Sequence, residues 1–280
     1  MTSRTWLVTG AGRGIGRAVT EAALDLGDQV VGTVRTPGTL DDLAARHPGA
    51  VRELRLDVRD AAAVETAVDV AASRFGGLDV VVNNAGQGLV GAIEELDEQQ
   101  ARDHLDVNLF GALWVSRAAI APLRARGGGD IVQISTVGAI GSMPTMGLYN
   151  AGKWALEGFS EALSAEVAPF GIRVTIAQLG GFATDWAGSS MRFADPLPEY
   201  DELRSSLFGT SEVPWPRTDV DEPMSDADPR LAAETLMTHL ADPDRPLRTL
   251  VGADAPEHAT LAYAARRDSY GSRPALLWPA

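Results

Sequence analysis

The sequence predicts an α/β protein, a parallel sheet covered on both faces by helices. Three observations carry that prediction. Short apolar segments alternate with amphipathic ones along most of the chain, the pattern of repeated strand–helix units. The strands read as apolar runs, as in Leu78-Asp79-Val80-Val81-Val82, which suits a sheet buried on both sides. Three groups of small and polar residues, Gly10–Gly16, Asn83–Gly86 and Ser135–Thr136, fall at the carboxyl ends of predicted strands, where open α/β sheets bind ligands.

The bulk properties narrow the class. The 280 residues are 45% hydrophobic, enough to bury a large core. No linker, composition break or internal repeat divides them, so one domain spanning 1–280 is expected. The formal net charge is −14. Nucleic-acid binding needs a basic footprint, and no stretch supplies one, so no nucleic-acid partner is expected. The chain has no Cys, which excludes disulfides, a thiolate nucleophile and cysteine-ligated metal. His47, His104, His239 and His258 lack metal-ligand spacing and read as surface residues, so no metal site is expected. The first residues lead directly into a strand with no apolar signal region, and no apolar run approaches the roughly 20 residues that span a bilayer. A cytoplasmic protein with no membrane association is expected.

Trp6-Leu7-Val8-Thr9 is the first strand. It meets Gly10-Ala11-Gly12-Arg13-Gly14-Ile15-Gly16, and an amphipathic helix follows from Arg17 to Leu26. In this context a glycine motif binds a dinucleotide: the glycines bring the backbone close to a phosphate, and the helix N-terminus offers free N–H groups and a positive dipole end. Gly10, Gly14, Ile15 and Gly16 are the candidate cradle. The spacing differs from the usual G-x-G-x-x-G, and a purely structural turn would also account for it. The second strand, Gln29 to Val34, ends in Arg35. NAD binders place a carboxylate there for the ribose 2′-OH, whereas NADP binders offer a cation. Arg35, with Arg13 flanking the same position, points to NADP(H) in preference to NAD(H); the alternative is two solvent arginines.

Arg52 to Leu56 is a third strand, closed by Asp57-Val58, which are placed to touch an adenine. A helix from Ala61 to Phe75 precedes the fourth strand, which ends in Asn83-Asn84-Ala85-Gly86. Small residues there let the chain pass close to a cofactor, and Asn side chains can tie neighbouring strands; Asn83, Ala85 and Gly86 are candidate contacts. A long helix is expected from Glu98 to Arg126, broken by Gly127-Gly128-Gly129 and followed by a strand from Asp130 to Ile134. On the next helix Tyr149 and Lys153 form an i,i+4 pair on one face. A phenol has a reference pKa of about 10, and a cation one turn away lowers it. That would make Tyr149 a proton donor to a carbonyl. The spacing alone also describes any surface helix with an aromatic residue and a lysine.

Together Thr9-Gly10-x-x-x-Gly14-Ile15-Gly16, Asn83-Asn84-Ala85-Gly86, Asn108, Ile134-Ser135-Thr136 and Tyr149-x-x-x-Lys153 make the chain resemble the short-chain dehydrogenase/reductase family. The match is close over about residues 5–180 and looser to about 253. The resemblance implies a three-layer α/β/α Rossmann fold with a seven-stranded parallel sheet, and hydride transfer between NAD(P)H and a carbonyl/alcohol pair. It implies that Tyr149 is the general acid, that Lys153 tunes it and bonds the nicotinamide ribose, and that Asn108 holds a water for proton resupply. The family's serine, thirteen residues before its tyrosine, is Thr136 here, with Ser135 adjacent. Alternation along a strand turns Ser135 the other way, which favours Thr136. After the strand Arg173 to Gln178 the family has Pro-Gly; this chain has Leu179-Gly180-Gly181-Phe182-Ala183-Thr184. Gly180 permits close approach to the nicotinamide, Phe182 lies beside it, Thr184 can bond the carboxamide, and loss of the proline should loosen the turn.

Residues 186–228 show weak periodicity and five prolines and read as an unstructured stretch, of a length that is usually functional or mobile; the resemblance implies that they form a lid insertion over the substrate. Trp186, Met191, Phe193, Phe208 and Trp215 could line an apolar pocket or pack the lid down. Asp219, Asp221, Glu222, Asp226 and Asp228 read as a solvated run. A helix from Pro229 to Leu240, a strand from Leu247 to Val251, a helix from Asp254 to Arg267 and an apolar tail from Arg273 complete the chain. The leading expectation is an NADP(H)-dependent oxidoreductase interconverting a carbonyl and a secondary alcohol on a small molecule. The alternatives are a tailoring epimerase or dehydratase and a non-catalytic NADP-binding regulator. By resemblance, helices near 101–126 and 147–168 pair subunits into a homodimer or homotetramer.

Overall fold

The computed structural model describes residues 3–184, 190–214 and 227–270. Strands and helices alternate from the start: β1 (Thr5–Thr9), α1 (Gly14–Asp25), β2 (Gln29–Val34), α2 (Asp41–Arg46), β3 (Val51–Arg55), α3 (Ala61–Arg74) and β4 (Val80–Asn83). A short β5 (Gly88–Val90) leads to α4 (Glu98–Leu105) and α5 (Gly111–Arg126). Then come β6 (Gly129–Thr136), α6 (Gly147–Val167), β7 (Ile172–Leu179), β8 (Met191–Phe193), α7 (Asp201–Phe208), α8 (Pro229–Ala241), β9 (Arg248–Val251) and α9 (Ala255–Ser269). Seven strands form one parallel sheet in the order β3-β2-β1-β4-β6-β7-β9. The chain changes direction between β1 and β4, which opens a ligand crevice at their carboxyl ends.

Alternation along each strand divides the core. Trp6, Val8 and Val30 pack under α1 and α8 with Val19, Leu236 and Leu240. Leu7 and Val31 face the opposite way, against Val64 and Val68 of α3 and Val115, Ala119 and Leu123 of α5. Each such Leu or Val contributes about 1.5–3 kcal/mol by leaving water. Trp6 satisfies its buried indole N–H by donating to Asp28 Oδ2 at 2.8 Å.

Two local expectations are corrected. The helix expected from Glu98 to Arg126 is interrupted by a π-turn at Asp106–Phe110, the kind of bulge that recurs at functional sites. The stretch 186–228 is not structureless: β8 pairs in parallel with β5, and α7 follows. Arg204 of α7 is buried and holds Glu95, Asp201, the Leu197 carbonyl and the Ser211 carbonyl, which fixes this segment to the body. Asp228 caps α8 by accepting from the Arg230 N–H at 2.9 Å. Trp186, Trp215, Asp219, Asp221, Glu222, Asp226 and the tail from Arg273 lie outside the described residues.

Candidate active site

The glycine loop sits where β1 hands over to α1. Gly10 takes φ +65°, and a Cβ on Gly16 would stand 2.4 Å from the Gly10 carbonyl oxygen, so the turn closes only with glycine at both places. Thr9 and Asn84 staple this loop to the end of β4. The Asn84 and Ala85 N–H groups donate to Thr9 Oγ1 at 3.0 Å, and Asn84 Nδ2 donates to the Thr9 and Gly10 carbonyls at 2.9 and 3.1 Å. Helix α1 begins with no side-chain cap and no acidic residue in its first turn, leaving its N–H groups and dipole to an anion.

A cleft of about 1470 Å³ runs from this loop across the carboxyl ends of the sheet. That exceeds the roughly 300–1,000 Å³ of ordinary small-molecule pockets and accommodates a dinucleotide with a second ligand beside it. Gly10, Arg13, Gly14, Ile15, Arg35, Asp57, Val58, Ala85, Gly86, Gly180, Phe182 and Thr184 all line it, as do Asn108, Thr136, Tyr149 and Lys153. Two expected contacts do not. Asn83, the last residue of β4, is buried and donates to Ser116 Oγ of α5 at 2.9 Å, because the strand turns it away from the cleft; its neighbour Asn84 faces the loop instead. Gly16 lies beneath the loop and serves its close packing.

At the β2 end Arg35 is exposed on the cleft, and its charge reaches Asp57. Arg13 Nη2 donates to Ser190 Oγ at 2.5 Å, tying the glycine loop to the segment before β8. Asp57 is gripped by Arg59, whose Nε and Nη2 donate to it at 3.0 and 2.6 Å and hold its carboxyl below the usual carboxylate range. Arg59 thus adds a cation that sequence reasoning missed. The expected loosening after β7 is also corrected. Asp254, at the start of α9, accepts from the Gly181 N–H at 2.9 Å and presses against Gly180, so a carboxylate fixes the turn that proline fixes elsewhere.

Tyr149 and Lys153 lie on the buried face of α6 with Leu156, Ser160, Leu163 and Val167. Thr145, at the approach to this helix, takes φ 65°, a left-handed conformation costly for a β-branched residue. Its carbonyl accepts from the Gly91 N–H at 2.8 Å. Thr136, ending β6, faces the cleft on the side of Tyr149, and its hydroxyl works against the rise of the phenol's pKa. Ser135 points the other way, donating to Glu157 Oε1 at 2.6 Å, as alternation requires.

Burial pushes the Tyr149 phenol above its ordinary pKa, against the opposing Thr136 hydroxyl. The expected lowering by Lys153 does not prevail, because Tyr149 is desolvated and Lys153 Nζ donates to the Ile134 carbonyl at 2.8 Å. Burial brings Lys153 down to about 8, with the Glu157 carboxylate working against that fall.

His104 is 1% exposed and lines the cleft, which corrects its reading as a surface residue. Its ring meets Tyr149 edge-on, centroids 6.1 Å apart. Beyond Tyr149 the cleft continues past Ile140, Met143 and Trp154 to Leu261, Ala262 and Arg266 of α9. The Arg266 guanidinium lies 4.4 Å over the Trp154 ring. From β8, Phe193 reaches the cleft, whereas Met191 is buried away from it and Phe208 does not line it.

A doubly wound sheet, a glycine loop at its switch point and a hydroxyl pair beside a buried lysine define a nucleotide-dependent oxidoreductase. The short chain dehydrogenase family matches residues 4–194, and the chain belongs to that NAD(P)-dependent family of dehydrogenases and reductases. An oxidoreductase, BOA17, of Botryotinia fuckeliana is 37% identical over 261 residues, 93% of each chain. A short-chain dehydrogenase from Streptomyces avermitilis superposes with a TM-score of 0.84 at 37% identity, covering 96% of this chain and 94% of that one. An alcohol dehydrogenase from the archaeon Thermococcus sibiricus, complexed with 5-hydroxy-NADP, superposes with a TM-score of 0.72 at 25% identity, covering 89% and 96%. Among the described residues no helix is long and apolar enough to cross a membrane.

Proposed function

We propose that this enzyme interconverts a carbonyl and a secondary alcohol with NADP(H), using Tyr149 as general acid and base. One observation carries the reading: the Thr136 and Tyr149 hydroxyls and the buried Lys153 line one cleft that is continuous with the glycine loop. The cofactor supplies the hydride. Gly10, Gly14, Ile15 and the α1 N-terminus would hold its pyrophosphate, Val58 and Asp57 its adenine, and Ala85, Gly86, Gly180, Phe182 and Thr184 its nicotinamide half. Arg35, with Arg13 and Arg59 near, would receive a 2′-phosphate where a carboxylate would repel it.

Tyr149 keeps its proton at neutral pH, as an acid must. Delivering it leaves a phenolate that the Thr136 hydroxyl and the Lys153 cation favour. Thr136 donates to the substrate oxygen as charge develops, the placement that makes preorganised donors effective. Asn108 anchors the route by which the proton is replaced. The wall from Ile140 to Leu261 suits a mostly apolar substrate of medium size. Helices α5 and α6 would pair subunits into a homodimer or homotetramer; Phe110 and Phe170, each 38% exposed at their ends, fit such a surface. The test is fluorescence titration with NADPH and NADH, followed by a carbonyl panel monitored at 340 nm. Turnover with NADPH is expected; binding without turnover of any carbonyl would overturn the reading.

A further inference from the structure

The charges on the cleft run against those of the chain. The protein has a formal net charge of −14, yet among the described residues six cations line the cleft, Arg13, Arg35, Arg59, Lys153, Arg192 and Arg266, against two carboxylates, Asp57 and Asp103. Both carboxylates stand with Arg59, which reaches them at 2.6 and 3.6 Å. Arg13, Arg35 and Arg59 belong to the cofactor end, Lys153 accompanies Tyr149, and Arg192 follows the Ser190 that holds Arg13. Arg266 lies beyond Tyr149 on α9, and nothing proposed above uses it. Helix α9 turns one stripe to the cleft, residues 258, 261, 262, 265, 266 and 269. Its carboxylates, Glu257 and Asp268, do not line it. The helix is seated closely on the loop after β6, where a Cβ on Gly141 would stand 2.7 Å from that of Ala262. Arg266 is half-buried there, its guanidinium 4.4 Å over the Trp154 ring. Trp154 is fixed in turn: its indole N–H donates to the Gly138 carbonyl at 2.9 Å, and the Gly138 N–H donates to Thr136 Oγ1 at 3.2 Å. This line of contacts ties the guanidinium to the Thr136 hydroxyl. An aromatic face attracts a cation but brings no counter-charge, and among the described residues no carboxylate pairs with Arg266.

We propose that Arg266, seated on Trp154, is the subsite for an anionic group on the substrate, so that the carbonyl compound taken here carries a carboxylate set apart from its carbonyl by an apolar stretch along Ile140, Met143 and Leu261. The proposal rests on the reading that the carbonyl sits at Thr136 and Tyr149. The guanidinium fork fits a carboxylate with two parallel hydrogen bonds, and a side chain already held against a ring loses little freedom on binding. A charge remote from the reacting carbon is the same before and during hydride transfer, so the contact acts on KM and not on kcat.

The test compares phenyl ketones that carry a terminal carboxylate two to six methylenes from the carbonyl with their primary amides. At saturating NADPH the best acid should exceed its amide in kcat/KM by about tenfold or more, the scale of a charge-assisted contact. That ratio should shrink several-fold between 0.05 and 0.5 M NaCl. Arg266→Gln should bring acid and amide within about threefold of each other by raising KM for the acid, while the amide and the Kd for NADPH stay within about twofold of wild type. Acids no better than amides at every length, a ratio indifferent to salt, or a preference that survives Arg266→Gln would overturn the proposal. Equal losses for acid and amide would also overturn it, since they mark a structural role. If Arg266→Gln does not fold, the wild-type ratio and its salt response decide. A second arm needs no turnover: calorimetric titration with phenylalkanoates of the same lengths and their amides, with and without NADP+, should show the same preference and its loss in Arg266→Gln. Binding of no carboxylate in either form would overturn the proposal. Should no ketone be reduced, the function reading fails by itself and the calorimetry still judges the subsite.

Discussion

Replacing Thr136 with valine keeps the shape and β-branching of the side chain, so χ1 stays restricted, and exchanges only the hydroxyl for a methyl. Two interactions go. Tyr149 loses the neighbouring hydroxyl that opposes the rise of its pKa, and the Gly138 N–H loses an acceptor at 3.2 Å. Gly138 is half-buried and within reach of water, so the stability cost should stay near the ordinary net value of about 0.5–1.5 kcal/mol. The catalytic cost should be larger. Loss of one donor aimed at a developing oxyanion lowers kcat by about 10²–10³, or about 2.7–4 kcal/mol. The phenol also rises further, since the lost hydroxyl opposed its upward shift. Steady-state kinetics with NADPH and a reducible ketone should therefore show a fall of about 10²–10³ in kcat for Thr136→Val. Thr136→Ser should keep within about tenfold of wild type, because the oxygen remains. Ser135→Ala should cost far less, because its hydroxyl serves Glu157 behind the sheet. Thr136→Val within about twofold of wild type, or Ser135→Ala matching its loss, would refute the assignment.

Two further outcomes follow from charge. Arg35→Asp should weaken NADPH binding about 10- to 100-fold, the loss of a charge-assisted contact worth about 1.5–3 kcal/mol, and leave NADH binding within about threefold; equal losses in a fluorescence titration would sink the phosphate-reading role. Lys153 serves as a cation, and burial sets its pKa at about 8, so kcat/KM for reduction should fall as pH rises through about 8. Glu157→Gln removes the carboxylate that holds that value up and should move the falling limb to lower pH; an unmoved limb would show that Lys153 does not govern it.

The layered fold and most of the cleft were legible because their signals are local. Apolar runs bounded by turns gave the strands of the large sheet, and the glycine spacing marked the one turn tight enough to need it. What escaped depends on distant partners. Strands β5 and β8 have three residues each and pair across about a hundred positions, so neither carries periodicity of its own. His104 sits in a polar helix whose pattern, Asp103-His104-Leu105-Asp106, says surface; it is buried because α6 brings Tyr149 over it. The turn after β7 lacks its proline, and only tertiary structure reveals that Asp254 takes over. The choice between Asn83 and Asn84 was open to strand alternation, which puts one on α5 and the other on the glycine loop.

The central claim is that Tyr149 supplies the proton. Tyr149→Phe removes one oxygen from a buried ring and leaves the glycine loop and Arg35 untouched. Measured side by side, NADPH affinity should remain within about threefold of wild type, while NADPH oxidation with the best ketone falls by at least a thousandfold, the scale on which removing a general acid acts. Turnover that survives Tyr149→Phe within tenfold would contradict the account.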